Sequence, residues 1–341
     1  MRRLTRAFAA TALATALLAA GCGDSDSGDS TNDGARPRDK VTYLTSFGTF
    51  GRDSYVYLAK DKGFFDEAGI DVEIKPGSGT GDNLKQISSG QAHFTPVDFT
   101  GALLQYGKGA ARDFTAVAAI QQRTLVAVMS LEGKGISAPK DLEGKKIADP
   151  PGSVIGLLFP TYAKLAGVDA SKVTWVPAQP PTLPSSLATG AVDAIGQFVV
   201  GKPTIESAAQ GRKAVVLPYS DHLTDLYGNT LVTQTKLAKE NPDLVKRFTG
   251  ALLKGLQAAI DDPQECARSL VRAVPAQKAE PAAAELELMG PYVRSSGSGA
   301  PVGALDSQRV ARSIAILQGA GAIPAGITPE QLVNFDLVPK A

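Results

Sequence analysis

Apolar positions along the chain fall into short blocks that alternate between two spacings. "KVTYLTSF" (40–47), "IDVEIKPG" (70–77), "AHFTPVDF" (92–99), "FTAVAAI" (114–120), "KVTWVPA" (172–178) and "KAVVLPY" (213–219) are strand-like, rich in β-branched and aromatic residues. Between them the period lengthens. "DSYVYLAKDKGFFDEAG" (53–69) predicts an amphipathic helix closed by Gly69, "GDNLKQISSG" (81–90) a short helix ended by Gly90, and a further helix follows near 100–108. "APKDLEGKKIADPPGSVIGLLFPTYAKLAGV" (138–168) gives a helical turn, a strand and a helix. "LPSSLATGAVDAIGQF" (183–198) gives a helix, a turn and a strand. "YGNTLVTQTKLAKENPDLVKRFTGALLKGLQAAIDD" (227–262) adds a strand and a long helix, with Asn241 placed to cap and Pro242 to open it. The remaining tail is helical with Gly/Pro/Ser breaks, including "RSSGSGAPVGA" (294–304).

This alternation predicts an α/β protein with open sheets flanked by helices, and no internal repeat stands out. The middle block, 127–226, reads as a second lobe inserted between two parts of a first, 41–126 and 227–341. Two chain crossings, near 121–127 and 226–233, would make a two-strand hinge. Ligand clefts in such sheets lie at the carboxyl ends of strands, where helix N-termini supply N–H groups.

The N-terminus follows different rules. "MRRLTR" is basic, an Ala/Leu-rich run to Ala20 is too short and too weakly apolar to span a bilayer, and small residues lead into Cys22. Residues 1–21 read as a signal peptide. "LAAGC" (18–22) resembles the lipobox of bacterial lipoproteins, in which the cysteine becomes the lipidated first residue. Residues 23–40 are almost free of large apolar groups. Such a segment gains too little by burial to offset ordering, so 22–40 reads as a lipidated cysteine and flexible tether with a reach of roughly 20–25 Å.

Composition narrows the function. Removing residues 1–21 takes away Arg2, Arg3 and Arg6 and no acid, so the formal charge falls from +1 to −2. That balance offers no electrostatic footprint for nucleic acid. With Cys22 lipidated, Cys266 has no cysteine to pair with, and it reads as a small helical side chain. Only His93 and His222 are present and the cysteines are not clustered, so neither a metal site nor a nucleophile–base pair is expected.

"YVYLAKDKGFFDEAGIDVEI", "ISSGQAHFTPVD", "DLEGKKIADPPGS" and "LATGAVDAI" occur in an order that resembles the substrate-binding proteins of ABC importers. The resemblance is to the THI5/NMT1-like group with its aliphatic-sulfonate, nitrate and taurine relatives; it covers nearly all of 40–260 and weakens beyond. It implies a type II periplasmic-binding-protein fold whose two α/β lobes close on a small molecule, no cofactor, and an ABC permease with its ATPase subunits as partner. It also implies lipid anchoring at the extracytoplasmic face of the cell membrane and a monomeric receptor. Fungal pyrimidine synthases that resemble this group carry a cysteine-rich motif, which is missing here. Porphobilinogen deaminase, of related fold, tethers its cofactor through a cysteine, a role Cys266 matches poorly. A receptor that signals through a membrane sensor is the third alternative.

Five loops would face the cleft in that architecture. "TSFGTFGRD" (45–53) offers Ser46, the rings of Phe47 and Phe50, and the charge of Arg52. "PGSGTGDN" (76–83) resembles an anion nest, with Ser78 and Thr80 as donors, and lacks the lysine of a nucleotide-binding loop. In "VDFTG" (97–101), Asp98 is placed to accept hydrogen bonds from a ligand amine or to cap the next helix, and Phe99 to form a wall. "DPPGSVIG" (149–156) would present N–H groups at Gly152, Ser153 and Val154, and "GQFV" (196–199) brings Gln197 and Phe198. Each aromatic has a plain alternative as packing at the lobe edge, which is the favoured reading for Trp175; Gln179, "QQR" (121–123) and "YGN" (227–229) are lesser candidates. Phenylalanines with Asp98 and Gln197 suit a planar nitrogen heterocycle, such as a thiamine pyrimidine precursor. Hydroxyls with Arg52 suit an aliphatic sulfonate, nitrate or other small anion.

Overall fold

The structure, a computed structural model, describes residues 37–151, 153–294 and 300–340. The signal peptide, Cys22, the tether as far as residue 36, and Gly152 lie outside the described residues. Ten strands form two five-stranded sheets. The first holds β1 (Asp39–Leu44), β2 (Ile70–Lys75), β3 (Phe94–Asp98) and β4 (Thr115–Ala119). The second is built from β5 (Val126–Leu131), β6 (Lys146–Asp149), β7 (Thr174–Pro177), β8 (Ala194–Phe198) and β9 (Ala214–Pro218). The last strand, β10 (Asn229–Thr233), returns to the first sheet. The orders are β2-β1-β3-β10-β4 and β9-β5-β8-β6-β7.

Two strands are buried along their whole length, β4 at the edge of the first sheet, where Val333 bridges Ala116, and β5 inside the second. In the first lobe Phe248, on the long helix Pro242–Asp261, stacks on Phe94 of β3 at 4.0 Å and on Phe65 at 5.2 Å. Burying such a ring contributes about 1.5–3 kcal/mol. In the second lobe Tyr162 stacks on Tyr219 at 4.1 Å.

The helix expected over 53–69 is two helices, Tyr55–Asp61 and Phe64–Glu67. Gly63 takes φ of +75°, a left-handed conformation that a helix interior does not tolerate. The tail carries helices Pro263–Ala273, Ala279–Val293 and Ser307–Gly319. No helix among the described residues is long and apolar enough to cross a membrane.

In each sheet one strand runs against its neighbours, and it is a strand next to a crossing. β5 is antiparallel to β8 and β9, while β10 is antiparallel to β3 and β4. The chain leaves the first sheet after Ala119 and returns at Asn229, so the start of β5 and the start of β10 both sit at the junction between the sheets.

Candidate functional site

Register places the carboxyl ends of the parallel strands at that same junction. Asp98, ending β3, pairs with Asn229 at the start of β10, and Phe198, ending β8, pairs with Val126 at the start of β5. Two further bonds fasten strand ends to the crossings, Phe99 N–H to Gly228 O at 3.0 Å and Val199 N–H to Leu125 O at 2.8 Å. Asp149 ends β6 alongside β8. The loops after β3, β6 and β8 therefore lie at the junction between the two sheets, and the parallel pairing of β1 with β3 brings the loop after β1 to the same end of its sheet.

In the first lobe the rim is built around buried Asn83. Its amide donates to Thr45 O at 2.9 Å, Ser46 O at 3.2 Å and Thr95 Oγ1 at 2.8 Å, and its Oδ1 accepts from Ser78 N–H at 2.8 Å. Phe47-Gly48 and Gly77-Ser78 pair as a small antiparallel ladder. The Ser46 hydroxyl points inward and donates to buried Asp53 at 2.7 Å. Arg52 lies over Phe50 at 4.5 Å, between Asp53 at 3.8 Å and Glu285 at 3.7 Å, and its backbone N–H donates to Glu285. A Cβ on Gly51 would collide with the backbone of Ala282, so this turn is pressed against helix Ala279–Val293.

Asp98 caps helix Phe99–Gly107, accepting from Gly101 N–H at 2.7 Å. Burial outweighs its backbone hydrogen bonds and lifts its carboxyl to about 6. Thr80, opening helix Thr80–Ser88, packs beside Gly101. Phe99 departs from the expected cleft wall. Its ring is buried, edge-on to Tyr227 at 6.0 Å, because it occupies the first, inward-facing position of its helix.

In the second lobe Ser153 caps helix Val154–Leu165 by accepting from Gly156 N–H at 3.1 Å. Its hydroxyl donates to Asp149 Oδ2, which also accepts from Gly156 N–H at 3.2 Å. Asp149 is 5% exposed, its Oδ1 has no hydrogen-bond partner, and burial raises its carboxyl to about 6. Val154 is half-buried in the first turn. Gln197 accepts from the N–H of Phe198 at 2.8 Å.

Three rings stand out of these loops: Phe47 is 53% exposed, Phe50 38% and Phe198 37%. The only other large exposed apolar residue among those described is Leu165. Trp175 packs edge-on to Phe159 at 5.1 Å, beside the core, as its strand position suggested.

At the crossings Gln121 accepts from Asn229 N–H at 2.9 Å. Arg123 lies over Tyr292 at 4.8 Å and donates to Pro291 O at 3.0 Å. Asn83, Asp149 and Glu285 are the residues sequence reading passed over. The first two stood inside the quoted loops: Asp149, a short acid before a helix, was a usable signal, whereas Asn83 lies in the first turns of helix Thr80–Ser88. Glu285 lies 233 positions from its partner and gave none.

Residues 54–266, more than half of the chain, match the family model described as NMT1/THI5 like. No curated protein matches the chain. Among solved structures, the periplasmic aliphatic sulphonate binding protein SsuA from Escherichia coli is 14% identical, with a TM-score of 0.68 over 86% of this chain and 92% of that one. The alkanesulfonate-binding protein SsuA from Xanthomonas axonopodis pv. citri, bound to MOPS, is 17% identical, with a TM-score of 0.64 over 87% and 98%. The desulfurization enzyme DSZB is 15% identical, with a TM-score of 0.60 over 88% and 97%. At such identities the likeness shows the fold, the two-lobe periplasmic-binding-protein type.

Proposed function

The chain belongs to the NMT1/THI5-like family, and from that premise we propose that it is the solute-binding protein of an ABC importer. In this reading residues 41–126 with 227–341 form one lobe and 127–226 the other, and ligand binding closes them about the crossings. The closed form hands its ligand to a membrane permease with ATPase subunits. Residues 1–21 are removed, lipidated Cys22 holds the protein at the extracytoplasmic face of the membrane, and the residues from 23 up to the start of β1 at Asp39 tether it as a monomer.

The observation that carries a binding role is the exposure of Phe47, Phe50 and Phe198 on loops at the strand ends of both lobes. Exposed rings rimming a cleft suit a planar ligand, which would be sandwiched as the lobes close. Asp98, Thr80, Ser78 and Gln197 are the polar groups beside them. A receptor fits better than an enzyme, because the Cys266 thiol is buried, lies 3.1 Å from Ser54 Oγ and is pushed up to about 12, mainly by desolvation. Such a thiol supplies no thiolate nucleophile.

The test is thermal unfolding of the protein against planar nitrogen heterocycles, alkanesulfonates, taurine and nitrate. The anions are included because the two SsuA proteins are described as binding sulfonates. A ligand at 100 times its Kd adds about 2.7 kcal/mol, a rise of at least a couple of degrees. Phe47→Ala or Phe198→Ala should weaken a ring ligand at least tenfold, about 1.4 kcal/mol. Full affinity in both variants would return the rings to surface packing.

A further inference from the structure

We infer that Asp149, acting with Asp98 across the cleft, sets the charge class of the ligand: the site accepts a molecule presenting N–H donors or a positive charge and turns away oxyanions. This rests on the solute-receptor reading and deepens it.

Helices Phe99–Gly107 and Val154–Leu165 both start at the rim, and free helix N-termini would favour an anion. Both are already filled by the chain's own carboxylates. Asp98 takes Gly101 N–H, and Asp149 Oδ2 takes Gly156 N–H together with the Ser153 hydroxyl. Neither carboxylate has a basic partner; the groups acting on them are backbone N–H groups and, for Asp149, one serine.

Asp149 Oδ1 goes further, buried with no partner at all. It occupies the place where a side chain of residue 196 would stand, and a Cβ on Gly196 would collide with it. Glycine in β8 thus makes room for an acceptor that nothing in the lobe uses. Keeping such a group at a strand end costs stability unless something else meets its charge.

Several donors an oxyanion would need are committed elsewhere, which leaves the hydroxyls of Ser78 and Thr80 in the first lobe and, among the described residues, no free guanidinium beside them. Ser46 donates to Asp53 and Ser153 to Asp149, while Arg52 is held between Asp53 and Glu285. Arg123 is turned onto Tyr292 and Pro291 O. Lys202, opening the helix after β8, lies 3.9 Å from Glu206. An anion entering this rim meets the carboxylates of Asp98 and Asp149, neither of which has a basic partner; a donor-rich or cationic ligand meets an acceptor in each lobe.

The experiment is calorimetric titration of the full chain, its Asp98→Asn and Asp149→Asn variants, with three probes of one ring size: benzamidinium, benzamide and benzenesulfonate. We expect the wild type to bind benzamidinium at least tenfold more tightly than benzenesulfonate. Each variant should lose at least tenfold toward benzamidinium while gaining toward benzenesulfonate. A merely structural role for Asp149 would not invert that order, and far-ultraviolet circular dichroism establishes that each variant is folded. Wild-type preference for benzenesulfonate, or an unchanged order in both variants, would overturn the charge assignment and leave the receptor standing. Silence of the wild type toward all three probes would overturn the charge assignment, while the receptor reading is decided separately by the heterocycle and anion panel.

Discussion

Asp149 is where single-residue chemistry is most exposed to measurement. Its carboxyl, ordinarily near 3.8, is raised to about 6 because burial outweighs the help of Ser153 and Gly156; Tyr219 is the other ionisable group close by. The folded state therefore holds the proton more tightly than the unfolded chain. Stability from this group is greatest below pH ~4 and is lost as pH rises through about 6. A shift of this size corresponds to about 1–3 kcal/mol at pH 7.5, so Asp149→Asn should stabilise the ligand-free protein by that order and flatten its profile between pH 5 and 7.5. Urea unfolding at both pH values checks this. Comparison with the variant removes the opposing trend of Asp141, Glu143 and Asp169, whose lowered pKa values destabilise the fold on acidification. A variant less stable at pH 7.5 than the wild type would show that the carboxylate is compensated after all. Asp98 and the rings of Phe47, Phe50 and Phe198 were legible as residues at strand ends; the loss of Arg52 as a free cation was not, because its neutralising partner sits on a distant helix.

At the scale of elements, the first rim is one assembly. Helix Thr80–Ser88 holds both halves of the small ladder through Asn83, and helix Ala279–Val293 presses the turn at Gly51 into place while Glu285 receives the Arg52 N–H. Ring positions on Phe47 and Phe50 follow from this support, since their loop has no strand of its own longer than two residues. Asn83→Ala would strand a buried carbonyl, a buried hydroxyl and an N–H. We expect a loss of about 2–4 kcal/mol in urea unfolding, together with weaker ligand binding. Stability within 1 kcal/mol of wild type would mean that the loop orders itself. Periodicity located helix Thr80–Ser88 to within a residue or two, but the split at Gly63 escaped it, because a left-handed glycine leaves the apolar spacing on either side intact.

For the whole molecule the crossings govern what the lobes can do. Arg309, on helix Ser307–Gly319, donates to Gln122 O of one crossing and to Thr224 O and Asp225 O just before the other, and it lies 4.1 Å from the Tyr227 ring. Helix Ser307–Gly319 thus ties the first crossing to the chain just before the second. A ligand recognised by both rims should shift the population toward a closed form, and X-ray scattering of the full chain should give a smaller radius of gyration at saturation than without ligand. Equal radii with and without a ligand that calorimetry shows to be bound would contradict closure.

The sequence by itself determined the alternation of strands and helices, hence the α/β class, and the loops that end each strand. These are local quantities, written in the period of apolar residues and in single Gly, Pro and Asn punctuation. Tertiary structure decided the electrostatics of the rim. Whether a hydroxyl, guanidinium or carboxylate is free depends on what folds against it, and here those partners come from other strands and helices. Glu285 beside Arg52 and the empty place of Gly196 beside Asp149 exist only once the sheets are assembled.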